Sequence, residues 1–147
     1  MSSVEEDVDW KAFSQKKLTK DIIRNLQHKL DWAILSRYRT LSEEFIGEFR
    51  DKVDWDKICR YQKLSENFIR QGFQGLFRLN TALISQHQHL SQSFMLEFKS
   101  QLDWKKISQY QTLDEAFIIN NTHLFFGYET SIKISKSERK YNGYLGK

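Results

Sequence analysis

A Trp-anchored segment of 22 or 23 residues recurs five times along this 147-residue chain, and that recurrence limits what the chain can fold into more than any composition figure does. The clearest copies are LDWAILSRYRTLSEEFIGEF from Leu30, VDWDKICRYQKLSENFI from Val53 and LDWKKISQYQTLDEAFI from Leu102. Worn copies begin at Val8 and Leu79. A unit this short cannot bury an apolar face alone, so successive copies must stack, and arrays of this kind usually bind partners rather than catalyse.

With the Trp as position zero, the second copy has apolar residues at Trp32, Leu35, Tyr38 and Leu41, then at Phe45, Ile46, Phe49 and Val53. Both sets have helical spacing, which predicts a pair of helices per copy, about nine and about eleven residues long. The residue before each anchor is Asp9, Asp31, Asp54, Asn80 or Asp103, and Thr19, Ser42, Ser65, Ser91 and Asp114 precede the second helices. All ten are side chains that accept a hydrogen bond from a free N–H at a helix start. Isolated helices under about 12 residues are marginal in water, so stacking must hold them. On this reading the Trp and Tyr residues are core, with Trp55 packed between neighbours on both sides. The predicted fold is all-α: stacked short helix-turn-helix repeats, a small α-solenoid, over residues 1–127, followed by a basic, irregular or extended tail over 128–147 whose Ile132 and Ile134 dock on the last repeat.

The absence of proline suits short helices joined by tight turns. Four residues after each anchor stands a small residue, Ser14, Ser36, Cys59, Ser85 or Ser108. Cys59 is therefore read as a close-contact residue rather than a reactive thiol, and as the only cysteine it points to a reducing, cytoplasmic setting. The acidic start, MSSVEEDVDW, has no apolar segment of a secretory leader, and no run reaches the length of a membrane span. The net charge of +4 comes from the tail: Lys133, Lys136, Arg139, Lys140 and Lys147 stand there against Glu138, whereas residues 1–132 are balanced.

Departures from the repeat are candidate functional positions, because stacking alone keeps a position regular. In the fourth copy Thr81 replaces Trp, His87 replaces Tyr, and three extra residues lie between Gly72 and Leu79. From Gln71 to Gln92 the only formally charged side chain is Arg78. Charge depletion with aromatic enrichment marks interface centres, so Phe73, Gln74, Leu76, Phe77, Arg78, Gln86, His87 and His89 form a candidate protein-binding surface with Phe73, Leu76 and Phe77 as exposed anchors. The alternative is an eroded repeat whose extra residues fill the gap left by the missing Trp. A second candidate is a basic ridge of Arg37, Arg39, Arg60 and Lys63, continued by Gln86, Gln88, Gln109 and Gln111. Cations near helix C-termini are favourable in any case, so the ridge is either dipole compensation or a site for an acidic partner.

No catalytic pattern emerges. His87 and His89 are two apart and do not share a helix face, and no further Cys, His or carboxylate recurs nearby to complete a metal site. No glycine-rich phosphate loop or nucleophile turn is present. Helical repeats can read RNA through stacked aromatics, but the neutral body offers little to phosphates, which leaves the tail and the ridge for nucleic acid.

The string carried by Asp54, Trp55, Ile58, Tyr61, Gln62, Leu64, Ser65, Glu66, Phe68 and Ile69, D-W-x-x-I-S-x-Y-Q-x-L-S-E-x-F-I with Cys59 at its first Ser, resembles short tandem repeats of uncharacterised proteins from large DNA viruses, phages and some bacteria. The resemblance covers residues 30–69 and 102–118; Lys16, Thr81 and His87 depart from it. It implies no reaction, no cofactor and no catalytic residue. The function expected is a non-enzymatic protein-binding module, a viral or phage accessory protein that binds and sterically blocks a host protein such as a defence factor, in the host cytoplasm. Nucleic-acid binding through the tail and ridge is the first alternative, and self-assembly through open array ends the second.

Overall fold

The computed structural model of the protein describes residues 7–135. Among them ten short α-helices fall into five consecutive pairs, the all-α repeat that the recurrence predicts. The pairs are α1 (Trp10–Ser14) with α2 (Lys20–Asn25), α3 (Trp32–Tyr38) with α4 (Glu43–Glu48), α5 (Trp55–Tyr61) with α6 (Glu66–Phe73), α7 (Thr81–His87) with α8 (Gln92–Glu97), and α9 (Trp104–Tyr110) with α10 (Glu115–Asn120). The chain divides into two compact units, Met1–Leu64 and Ser65–Lys147. In the first, α3 packs against α1 and α5; in the second, α9 packs against α7. No described helix is long and apolar enough to cross a membrane.

Every predicted cap is in place. Asp31 accepts from the N–H of Ile34, Asp54 from Lys57, Asn80 from Leu83 and Asp103 from Lys106, and the second-helix caps behave alike. The helices are shorter than predicted, at five to eight residues. The first helix ends because the residue seven after the anchor is extended, with ψ near 140° at Arg39, Gln62, Gln88 and Gln111. In the second helix the apolar spacing runs on past the helix because an isolated turn repeats the helical bond, Val53 N–H donating to Phe49 O at 3.0 Å.

The centre of each unit is built from positions three and four of the first helices. Leu35 and Ile58 in one unit, Ile84 and Ile107 in the other, are 0% exposed, and so are the small residues that follow them. Burying an aliphatic side chain contributes about 1.5–3 kcal/mol. The serines do more than make room. Ser36 Oγ accepts from Asp54 N–H at 3.0 Å and Ser85 Oγ from Asp103 N–H at 3.0 Å, while Ser14 Oγ accepts from Asp31 N–H at 2.8 Å and donates to Trp10 O. Each thereby holds the cap that opens the next first helix.

The tryptophans and tyrosines are not the core residues expected of them. Trp32, Trp55 and Trp104 are half-buried, and each indole N–H donates to the carbonyl five residues earlier, Gln27, Arg50 and Lys99, at 2.8–2.9 Å. The anchor thus ties its helix to the turn before it. Tyr38, Tyr61 and Tyr110 are 63%, 41% and 48% exposed. Helix geometry explains this: at 3.6 residues per turn, position six lies about 120° from the anchor, outside the face that positions three, four and seven share.

Buried instead is position seven. Gln62 is 5% exposed, and its amide donates to Ser36 O at 2.8 Å and to Arg39 O, while Oε1 accepts from Leu41 N–H at 3.0 Å. Gln111, 6% exposed, donates to Ser85 O and Gln88 O. One carboxamide therefore staples each helix to the connector of the preceding pair. Arginine links the second helices in matching positions, Arg24 to Glu48 at 2.7 Å and Arg70 to Glu97 at 2.8 Å. After the last pair no further glutamine follows, and the chain itself takes over. β2 (Lys133–Ile134) pairs in parallel with β1 (Thr112–Leu113), and Ser135 N–H donates to Leu113 O. Ile134 thus does dock on the last repeat in an extended segment.

Candidate interaction surface

The degenerate stretch has a packing explanation. Gly72 stands where the second and fourth copies have Phe49 and Phe98, and a Cβ there would meet Leu79 Cδ1 at 2.2 Å. The missing ring is supplied from outside the register: Phe77 stacks on Phe68 at 4.5 Å, as Phe49 packs on Phe45 at 4.7 Å. Phe73 contacts Phe98 at 5.3 Å, much as Trp32 contacts Phe49 at 5.0 Å, although the fourth copy has Thr81 in place of Trp. Gly75, at φ 100°, closes α6, with Leu76 N–H donating to Gln71 O across the turn. Two of the three predicted anchors, Phe73 and Phe77, are therefore packed inward, and only Leu76, at 50% exposure, stands out beside the exposed Gln74 and Arg78. His87 and His89 are exposed and Gln86 is half-buried. Among the described residues, no cluster of three or more His, Cys, Asp or Glu side chains could hold a metal ion.

The predicted ridge divides in two. Gln88 and Gln111 do not continue it, being buried. Arg39, half-buried seven residues after Trp32 and just past the end of α3, reaches back to Leu18 O at 3.4 Å and belongs with the stapling residues. Arg37, Arg60 and Lys63 are exposed, and none meets a carboxylate among the described residues.

The exposed tyrosines join these cations. Arg37 lies 4.9 Å from the ring centre of Tyr38 and 4.8 Å from that of Tyr61, and Arg60 is 6.0 Å from Tyr61. Such contacts are worth about 0.5–1 kcal/mol at exposed sites. Interaction with Arg60, followed by the charges of Arg37, Arg60 and Lys57, holds the Tyr61 phenol below its ordinary value. The second unit has a smaller counterpart, Tyr110 with Lys106 at 5.8 Å and Lys133 at 5.9 Å. Lys133 is the described member of the predicted basic tail; Lys136, Arg139 and Lys140 lie outside the described residues.

Sequence reasoning placed Arg37, Arg60 and Lys63 on this face but treated the tyrosines as core and so missed their part in it. The signal was present in the arginines flanking Tyr38 and Tyr61, a pairing that a buried position would not tolerate. In comparisons with known proteins, no family model, no curated protein and no solved structure matches the chain.

Proposed function

We propose that this chain is a non-enzymatic protein-binding repeat module whose first unit recognises an acidic surface of another protein. One observation carries the reading: Tyr38 and Tyr61 are exposed with Arg37 held between their rings, beside Arg60 and Lys63. Tyrosine and arginine dominate binding hot spots because they offer a rigid area and a fixed fork of donors. With the resemblance of its repeats to those of viral and phage proteins, the role proposed is occupation of a host protein, blocking it sterically in the cytoplasm.

Affinity capture of the tagged full chain from its native cell, with and without nuclease, tests this. A stoichiometric protein that survives nuclease, and is lost from the Arg37→Glu/Arg60→Glu variant, supports the reading; retention by that variant contradicts it. Nucleic acid is the second reading, favoured by the same exposed rings, because bases stack on tyrosine and arginine. Against it, Arg37 already lies against both rings and the repeat body is neutral. Phosphate-driven binding would weaken steeply between about 50 and 200 mM salt.

A further inference from the structure

The two junctions of the first unit differ in two respects that together leave a cleft. Between the second and third pairs, Gln62 binds the connector of the second pair through Leu41 N–H and two carbonyls. Between the first and second pairs, the residue in that register is Arg39, and the stretch from anchor to second cap is one residue shorter, Thr19 standing nine positions after Trp10 where Ser42 stands ten after Trp32. Arg39 makes a single long bond to Leu18 O, and Leu18 N–H, the counterpart of Leu41 N–H, has no hydrogen-bond partner among the described residues. At this place lies a cleft of about 460 Å³. Its walls include the apolar Leu18, Ile23, Leu41 and Phe45 and the cations Lys20 and Arg39, with no carboxylate among the lining residues. Tyr38 of the tyrosine and arginine face also lines it, so the two are continuous.

We infer that this cleft receives an acidic, extended peptide segment of the protein partner, one apolar side chain seated against the half-buried Leu18 and Leu41 and the flanking carboxylates paired with Lys20 and Arg39. The inference rests on the protein-binding reading above and specifies its partner. Complementarity decides the chemistry: two cations in a lining that holds no carboxylate, with Lys20 also within range of the Glu48 charge outside it, apolar side chains beside them, and an N–H without a partner among the described residues that can donate to an extended backbone.

The probe is the fluorescein-labelled peptide Glu-Asp-Glu-Leu-Glu-Asp-Glu, titrated with the full chain by fluorescence anisotropy. The wild type binds it saturably, Lys20→Glu weakens binding by about tenfold or more, and replacing the peptide leucine by serine weakens it by about fivefold. Arg39→Gln, which supplies the amide found at position 62, weakens binding similarly without lowering the melting temperature. Absence of wild-type binding, or unchanged affinity in both variants, overturns the cleft. That failure is distinct from failure of the wider reading, which is decided by partner capture with Arg37→Glu/Arg60→Glu. An oligo-dT strand that binds in place of the peptide and is lost in Lys20→Glu overturns the peptide assignment in favour of nucleic acid. Self-association that disappears in Lys20→Glu overturns it in favour of a second copy.

Discussion

The two junctions of the first unit use the same elements and differ in how they close. At one, Gln62 satisfies two carbonyls and an N–H in a space from which water is nearly excluded. At the other, Arg39 keeps a charged head near the surface and leaves Leu18 N–H unpaired among the described residues. A carboxamide carries donors and an acceptor on one rigid plane, so it can serve both halves of a connector; a guanidinium has donors only and cannot answer an N–H. A guanidinium in place of a carboxamide, with one residue fewer between anchor and cap, leaves the first seam open where the second is closed.

The largest effect that sharpens this contrast is in the apolar layer. Leu35→Ala, at 0% exposure, should cost about 2–5 kcal/mol in chemical denaturation, whereas Phe13→Ala, half-buried in the same register of α1, should cost no more than about half as much. Equal losses would mean that the first junction is as tightly closed as the second. Next comes the staple: Gln62→Ala should cost about 2–4 kcal/mol by stranding the groups it bonds, and Arg39→Ala less than about 1 kcal/mol. A costly Arg39→Ala would break the comparison.

The smallest effect concerns the ion pair linking α2 and α4. Its hydrogen bond with Arg24 holds the Glu48 carboxyl below the ordinary glutamate value, against a weaker opposing effect of burial. A depressed folded value stabilises above the unfolded value and is lost as pH falls through the folded one. Arg24→Ala should therefore melt slightly below wild type at neutral pH, with the difference vanishing below the ordinary glutamate range. Exposed pairs contribute little, so a large difference would show that this contact carries more of the junction than the buried layer does.

Much of the fold was legible in sequence because caps and periodicity are local. Asp31, Asp54, Ser42 and Ser65 each announce a helix start by chemistry that needs no tertiary context. The glutamines at 62, 88 and 111 recurred too, but a repeated polar residue suits a solvated face as well as a buried staple, and only their partners decide. Phe73 and Phe77 looked like exposed anchors because they themselves sit outside the register of the repeat, whereas their packing partners, Phe98 and Phe68, occupy regular positions in it. The tyrosines were misplaced for an angular reason, since steps of three residues drift about 60° per step around a helix. The cleft was invisible because it arises from an anchor-to-cap stretch one residue short, together with an arginine that in a single copy looks like an ordinary surface charge.

Residue-resolved amide hydrogen exchange of Leu18 and Leu41 tests the central claim most directly, because the two N–H groups occupy matching places before Thr19 and Ser42. Leu41 should exchange at least about tenfold more slowly than Leu18, and Gln62→Ala should remove the difference. Equal protection of the two amides in the wild type would contradict it, since both junctions would then be closed and no cleft would remain.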